Sequence, residues 1–325
     1  MKGSIHIIVQ NERIKYEFVL RRNLTIIRGN SATGKTTLID MIREYKSLGE
    51  ESGVELSCEK ECVVIEGNGW EKQLSDVRKT VVFVDEGNRF VSSVEFARFI
   101  QGTDNYYVLV TREGLSTLPY SVEEIYGIRS SGKYGGLKPL YHEIYQLYTD
   151  KMDIRDLTPK KVITEDSNAG HEFFASMCNE IGIECVSAAG KSNIGLELLK
   201  CKDEDVVVIA DGAAFGSEIE KVLEVIGQKK QVALYLPESF EWLILVSDVL
   251  NDKEIRMMSE NWGTYIESSQ YFSWERFFTE LLIEKSQDSY LKYNKKKLNK
   301  AYLTAVVKRK ILKQVKWWKV KFSIN

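Results

Sequence analysis

Apolar and polar residues alternate in three short runs at the start of the chain: SIHIIVQ (4–10), IKYEFVL (14–20) and NLTIIRG (23–29). A period of two turns one face of a strand toward a core and the other away from it. The runs therefore predict three strands, the first two joined as a hairpin across NERI. The third run feeds into GNSATGKTTLIDMIREY, where Leu38, Ile42 and Tyr45 recur at the spacing of one helical face. Two further runs, TVVFVDEGNRF (80–90) and NYYVLVTREG (105–114), are continuously apolar before they turn polar, the pattern of strands buried on both faces. The glycines at 127, 132, 135 and 136 mark a loop, and apolar residues thin out while charge rises around 150–160, which places a domain boundary near Pro159.

Beyond the boundary the pattern becomes regular. Strand-like KVITED, ECVSAAG, VVVIADG and QVALYLP alternate with helix-like AGHEFFASMCNEIGI, NIGLELLKC, SEIEKVLEVIG and ESFEWLILVSDVL. Such alternation predicts a doubly wound parallel sheet with helices on both faces. The expected fold class is α/β: a first domain built on buried strands over 1–155, a doubly wound parallel-sheet domain over 156–285 and a basic tail over 286–325.

At 325 residues, with 43% hydrophobic and 28% charged side chains, the composition is that of a folded globular protein. The start carries no signal-peptide pattern, and charges interrupt every apolar stretch well short of a membrane span, so the expected location is the cytoplasm with no integral membrane association. The five cysteines are scattered and without paired spacing, and with three dispersed histidines they read as reduced thiols rather than a zinc site. The net charge of −2 hides an asymmetry. From Lys285 onward there are thirteen Lys and Arg against one Asp, while the preceding 284 residues are strongly acidic. A basic end on an acidic body points to a polyanion or an acidic surface as its partner.

The segment Gly29-Asn30-Ser31-Ala32-Thr33-Gly34-Lys35-Thr36 fits the phosphate-binding pattern G-x-x-x-x-G-K-[ST] at every position and lies between a strand and a helix. The glycines let backbone N–H groups converge on phosphate oxygens, and the helix start that carries Thr36 and Thr37 adds its dipole. Lys35 would neutralise the β- and γ-phosphates, and the Thr36 hydroxyl would bind Mg²⁺. At the end of the next buried run, Asp85 would hold the same Mg²⁺ through water and Glu86 would polarise the attacking water. Thr111 and Arg112, at the end of the following run, stand where a γ-phosphate-sensing group is expected. No N-K-x-D occurs, and YNKKKL has Lys297 where a guanine-reading Asp would be, so the expected cofactors are ATP and Mg²⁺.

Antiparallel strands before the phosphate loop and a Glu directly after Asp85 resemble the ABC-type ATPase core. No L-S-G-G-Q occurs; QLSDV (73–77) is the nearest string. The second half resembles the Toprim domain, whose marks are a Glu after the first strand and D-x-D after the third. Glu165 matches the first mark and Asp211 the first Asp of the second, while Ala213 stands where the second Asp belongs. The resemblance implies a metal site at Glu165 and Asp211, both catalytic, and Glu238 at the end of the fourth strand is the acid expected to complete it. Two other readings stay open: acids that merely cap solvated strand ends, and a receiver-like domain, which lacks its later Lys after TYIES.

An ATPase followed by a Toprim domain resembles the overcoming-lysogenization-defect nucleases and the ATPase and Toprim parts of the PARIS phage-defence system. Whole chains of this kind are also similar to small P-loop proteins of Gram-positive mobile elements. The resemblance implies a nucleotide-gated nuclease in phage defence or mobile-element competition, with a homo-oligomer or a protein effector as partner. The alternative is an ATP-dependent switch whose second domain only docks a partner. The tail interleaves lysines with Tyr290, Tyr293, Tyr302, Trp317 and Trp318. Cations for phosphates and rings for unpaired bases make RNA or single-stranded DNA its expected partner, with docking on the acidic body or on an anionic membrane surface as alternatives.

Overall fold

The computed structural model describes residues 1–29, 33–131, 140–148, 159–201, 204–227 and 231–315. It separates into two compact units: Met1–Tyr148 with Asn261–Phe272, and Thr149–Glu260 with Ser273–Asn325.

The first unit opens with β1 (Ile5–Gln10) and β2 (Ile14–Leu20), a hairpin in the register Ile5↔Leu20 to Gln10↔Lys15. The Asn11 side chain sets the turn by accepting the Arg13 and Ile14 N–H groups at 2.9 and 2.8 Å. Then come β3 (Leu24–Arg28), α1 (Lys35–Leu48), β4 (Glu55–Cys58), β5 (Cys62–Val64), α2 (Trp70–Leu74), β6 (Val81–Val84), α3 (Val94–Ile100), β7 (Tyr106–Val110), β8 (Ile125–Ser131) and β9 (Leu140–Gln146). Among the described residues they form one sheet in the order β4-β1-β2-β9-β8-β3-β7-β6-β5. The β8-β3-β7-β6-β5 side is parallel throughout, whereas the β4–β1, β1–β2 and β8–β9 pairs are antiparallel. Every residue of β3, β6 and β7 is buried, which is why their sequences show no alternation. Leu38, Ile39, Met41 and Ile42 of α1 join Ile7, Phe83 and Val108 of the sheet in one apolar core.

Two parts of this unit differ from the sequence expectation. Gly127 was expected in a loop but lies inside β8, where a Cβ would come within 2.9 Å of Leu147 and Tyr145. It is a glycine because neighbouring side chains cross it; Gly132, Gly135 and Gly136 lie outside the described residues. Residues 261–272 belong with this unit: the Gly3 N–H donates to the Gly263 carbonyl at 2.7 Å, and the Asn23 amide donates to the Phe272 carbonyl at 3.2 Å.

The second unit contains β10 (Lys161–Thr164), α4 (Ala169–Glu180), β11 (Glu184–Ser187), α5 (Ile194–Lys200), β12 (Val206–Ile209), α6 (Ile219–Gly227), β13 (Val232–Tyr235), α7 (Phe240–Val246), α8 (Lys253–Glu260), α9 (Trp274–Ser286) and α10 (Ala305–Leu312). Its sheet is parallel in the order β11-β10-β12-β13, with Lys161 opposite both Glu184 and Val206. Each strand–helix alternation expected from the sequence is present. The basic end is folded into this unit as far as residue 315: Leu291, Tyr293, Leu298, Tyr302, Val307, Ile311, Leu312 and Val315 are buried. Burial of each such side chain is worth roughly 1.5–3 kcal/mol before entropy, so this stretch is part of the core rather than an appendage. Trp317 and Trp318 lie outside the described residues. Among the described residues no helix is long and apolar enough to cross a membrane.

Candidate functional site

In the first unit, β3 carries the chain to Gly29, whose φ is +137°, and α1 begins immediately after Gly34, whose φ is +92°. Asn30, Ser31 and Ala32 of the expected phosphate loop lie outside the described residues. No side chain caps the start of α1, so its first N–H groups are left for a ligand or water. A Cβ at Gly34 would sit 2.8 Å from the Tyr16 hydroxyl and 3.1 Å from the His142 ring. Tyr16 donates its O–H to the Gly34 carbonyl at 2.7 Å and stacks on His142 with ring centroids 4.8 Å apart. Burial pushes the Tyr16 hydroxyl up to about 12 and lowers the basicity of His142. The junction therefore rests on an uncharged aromatic pair contributed by β2 and β9.

Lys35 is 4% exposed, and its ammonium donates to the Gly29 carbonyl at 2.7 Å and to the Thr33 hydroxyl at 3.2 Å. Burial lowers its pKa; the charges of Glu86 and Asp85 act against that, and Arg112 acts with it. Thr36 is exposed on the first turn of α1, and Thr37 hydrogen-bonds Tyr16. Asp85 and Glu86 follow β6, separated from β3 in the sheet only by β7. One Asp85 oxygen accepts the Glu86 N–H at 2.7 Å. Burial raises the Asp85 pKa, and the Glu86 N–H only partly offsets it. Glu86 is ion-paired with Arg112 beyond the end of β7. The Thr111 hydroxyl is engaged in its own turn, accepting the Glu113 N–H and donating to the Glu113 carbonyl, both at 3.1 Å. A glycine with no room for a side chain, an uncapped helix start, a buried lysine and a half-buried carboxylate one strand away are chemically matched to a nucleoside triphosphate with magnesium. Thr36 and Asp85 are the groups suited to the ion, and Glu86 to the attacking water.

The second unit has a separate pocket at the carboxyl ends of β10 and β12, where ligands of parallel sheets gather. Its lining includes Glu165, Asp211, Glu241, His171, Tyr293 and Lys295. One Glu165 oxygen accepts the Asp211 N–H at 2.9 Å, which joins the two strand ends. Burial pushes the Glu165 carboxyl up to about 7, and burial together with Glu275, Glu165 and Glu241 pushes Asp211 well above the usual carboxylate range. Asp166 instead accepts the Asn168 N–H and side-chain amide at 3.2 and 2.8 Å and organises the entry to α4. The Thr164 hydroxyl is hydrogen-bonded to His171 Nδ1 at 2.7 Å.

Glu165 and Asp211 thus meet as expected, but the metal set of Glu165, Asp211 and Glu238 does not assemble. Glu238 is not part of the pocket lining; its carbonyl accepts the Ala213 N–H at 3.2 Å. The Gly212 N–H donates to the Pro237 carbonyl at 2.6 Å, and a Cβ at Gly212 would lie 2.8 Å from the Leu236 carbonyl oxygen. The turn after β12 is thereby strapped to the end of β13, with Ala213 only 2% exposed. A carboxylate at 213 would be buried there. Among the described residues no three His, Cys, Asp or Glu side chains converge as metal ligands, so with Lys295 in the pocket the residues present do not fit the divalent cation that the Toprim resemblance implies.

The pocket holds groups that sequence reasoning missed. Glu241, one turn beyond Glu238, is 2% exposed and accepts the Tyr293 hydroxyl at 2.8 Å. Lys295 pairs with Glu275 at 2.5 Å. Burial works against the Lys295 charge, but Glu241 and Glu275 outweigh it and hold the ammonium above its ordinary pKa. Glu241 carried a signal in its place just past a strand end; Lys295 sits in a run of three lysines, and nothing local distinguishes it. No protein-family model matches the chain, and no curated protein matches it in sequence.

Proposed function

We infer that the chain is an ATP-binding and ATP-hydrolysing P-loop protein that acts as a nucleotide-dependent switch, its second unit engaging a partner. One observation carries the reading: Lys35 at the start of α1 lies within the electrostatic reach of Asp85, Glu86 and Arg112 from two other strand ends. That combination serves phosphate binding and water activation on one nucleotide. Bound magnesium would supply charge neutralisation on the phosphates. The chain's own contribution is the glycine-lined loop, the Lys35 cation, and Glu86 as the group that takes a proton from water.

The metal-dependent nuclease reading stands second. The meeting of Glu165 and Asp211 in one pocket favours it, while the absence of a third convergent ligand among the described residues and the presence of Lys295 weigh against it. Replacing Glu86 by Gln tests the leading reading: ATP binding should persist while turnover falls at least 100-fold, a loss of roughly 3 kcal/mol in transition-state stabilisation. Unchanged turnover would remove Glu86 from the role given to it.

A further inference from the structure

The second unit's pocket is lined by Glu165, Asp211 and Glu241, and the chain places an ammonium group beside them. Lys295 lines the pocket and pairs with Glu275 at 2.5 Å. The lysine is delivered by a stretch of backbone fixed on several sides. The Lys295 carbonyl accepts the N–H of Ala169, the first residue of α4, at 2.9 Å. Two residues earlier, the Tyr293 hydroxyl donates to buried Glu241 at 2.8 Å and the Tyr293 N–H donates to the Ser286 hydroxyl at 2.9 Å. Three residues later, the Leu298 N–H donates to Glu172 at 2.9 Å. Farther on, the Tyr302 hydroxyl donates to the Leu291 carbonyl at 2.6 Å and closes the stretch on itself.

We propose that this pocket is an ammonium site whose resident ligand is Lys295: the chain's own C-terminal segment supplies the cation that a divalent metal supplies in domains of this kind, and while seated it keeps metal out. Clustered buried carboxyls are neutralised either by protons or by a paired cation, and an isolated buried charge is far costlier than a paired one. The Lys295 ammonium lining the pocket supplies the second route. Magnesium demands near-octahedral oxygen ligands at close range and several retained waters. Here one Glu165 oxygen is committed to a backbone N–H, position 213 offers a buried alanine, and a fixed ammonium already repels a second cation. An ammonium needs only hydrogen-bond distances and no octahedral shell, so the arrangement that fails a metal suits a lysine. The inference is independent of nucleotide binding by the first unit.

The test uses the full chain without nucleotide and Mn²⁺ as the probe, followed by electron paramagnetic resonance, together with thermal melts. The wild type should show no Mn²⁺ binding that Asp211→Asn removes. Lys295→Ala should gain a Mn²⁺ site at least tenfold tighter than any in the wild type, and adding Asp211→Asn should abolish it. Lys295→Ala should also melt lower, and ethylammonium chloride should restore part of the loss where sodium chloride at the same ionic strength does not. Should Lys295→Ala fail to fold, Lys295→Gln, which keeps the stem, takes its place in both measurements. Mn²⁺ bound by the wild type through Asp211 would overturn the proposal. So would a position-295 variant that gains no Mn²⁺ site and shows no ethylammonium rescue.

Discussion

The Tyr16 hydroxyl donates to the Gly34 carbonyl at 2.7 Å, so a strand laid down early in the chain supports the start of α1. Gly34 has φ +92° and no space for a Cβ. Gly34→Ala combines backbone strain of about 1–3 kcal/mol with a clash against Tyr16. It should weaken ATP binding at least tenfold and lower the melting temperature. Tyr16→Phe loses one hydrogen bond, about 1 kcal/mol, and should weaken binding only a few-fold. Calorimetric titration of both variants checks the order.

Arg112 is mostly exposed at 58%, and its partner Glu86 is 30% exposed, so the pair adds little to stability. Its consequence is electrostatic: with Arg112 gone, Glu86 is free to attract the Lys35 ammonium and compete with phosphate. Arg112→Ala should leave the unfolding free energy within about 0.5 kcal/mol of wild type yet weaken ATP binding several-fold. A large drop in melting temperature with unchanged affinity would make the pair structural.

Glu124 in the first unit is 1% exposed, accepts the Tyr126 hydroxyl at 3.3 Å and lies 3.7 Å from the Arg22 guanidinium. Burial pushes its carboxyl from the usual 4.5 up to about 7, against the pull of Arg22 and Arg21. A group raised in the folded state binds its proton more tightly there than in the unfolded chain. Its stabilisation is full below about pH 4.5 and is lost as pH rises through about 7. Glu124→Gln, which imitates the neutral form, should match the wild type at pH 4.5 and be more stable at pH 8, by up to about 3 kcal/mol. Urea unfolding of both proteins at the two pH values gives the difference directly.

Truncation separates a folded C-terminal segment from a loose tail. A chain ending at residue 285 leaves Glu241 buried without its Tyr293 partner and uncovers the surface under Leu291, Leu298 and Tyr302. A buried polar group left without its hydrogen-bond partner costs about 1–3 kcal/mol, and each lost apolar burial adds roughly 1.5–3 kcal/mol, so the second unit should lose its cooperative melt and its protease resistance.

The legible parts of the fold were those whose code is local. The β1–β2 hairpin follows from alternation on either side of NERI, and β10 to α7 follow from a repeating strand–helix rhythm. β8 and β9 did not announce themselves, because Gly127 lies in a strand for a reason set by Tyr145 and Leu147, residues nearly twenty positions away. The residues of the proposed phosphate site stood out because Lys35 and Thr36 sit within one contiguous motif, and Asp85 and Glu86 end an unmistakably buried run. The aromatic support from Tyr16 and His142 was not readable, since it joins β2 to a strand more than a hundred residues later. In the second unit the sequence pointed to Glu165 and Asp211 but chose Glu238 over Glu241. Which of two acids near a strand end enters a pocket depends on the start of α7, where Ser239 caps the helix and Glu241 turns inward to Tyr293.

If the first unit holds ATP through Lys35, a fluorescent ATP analogue with Mg²⁺ should bind the wild type saturably. Lys35→Ala should bind it at least tenfold more weakly, with a melting curve of each protein showing that both are folded. Equal affinity in the two proteins, or a folded wild type that binds no nucleotide, would rule out Lys35 as the phosphate-binding group.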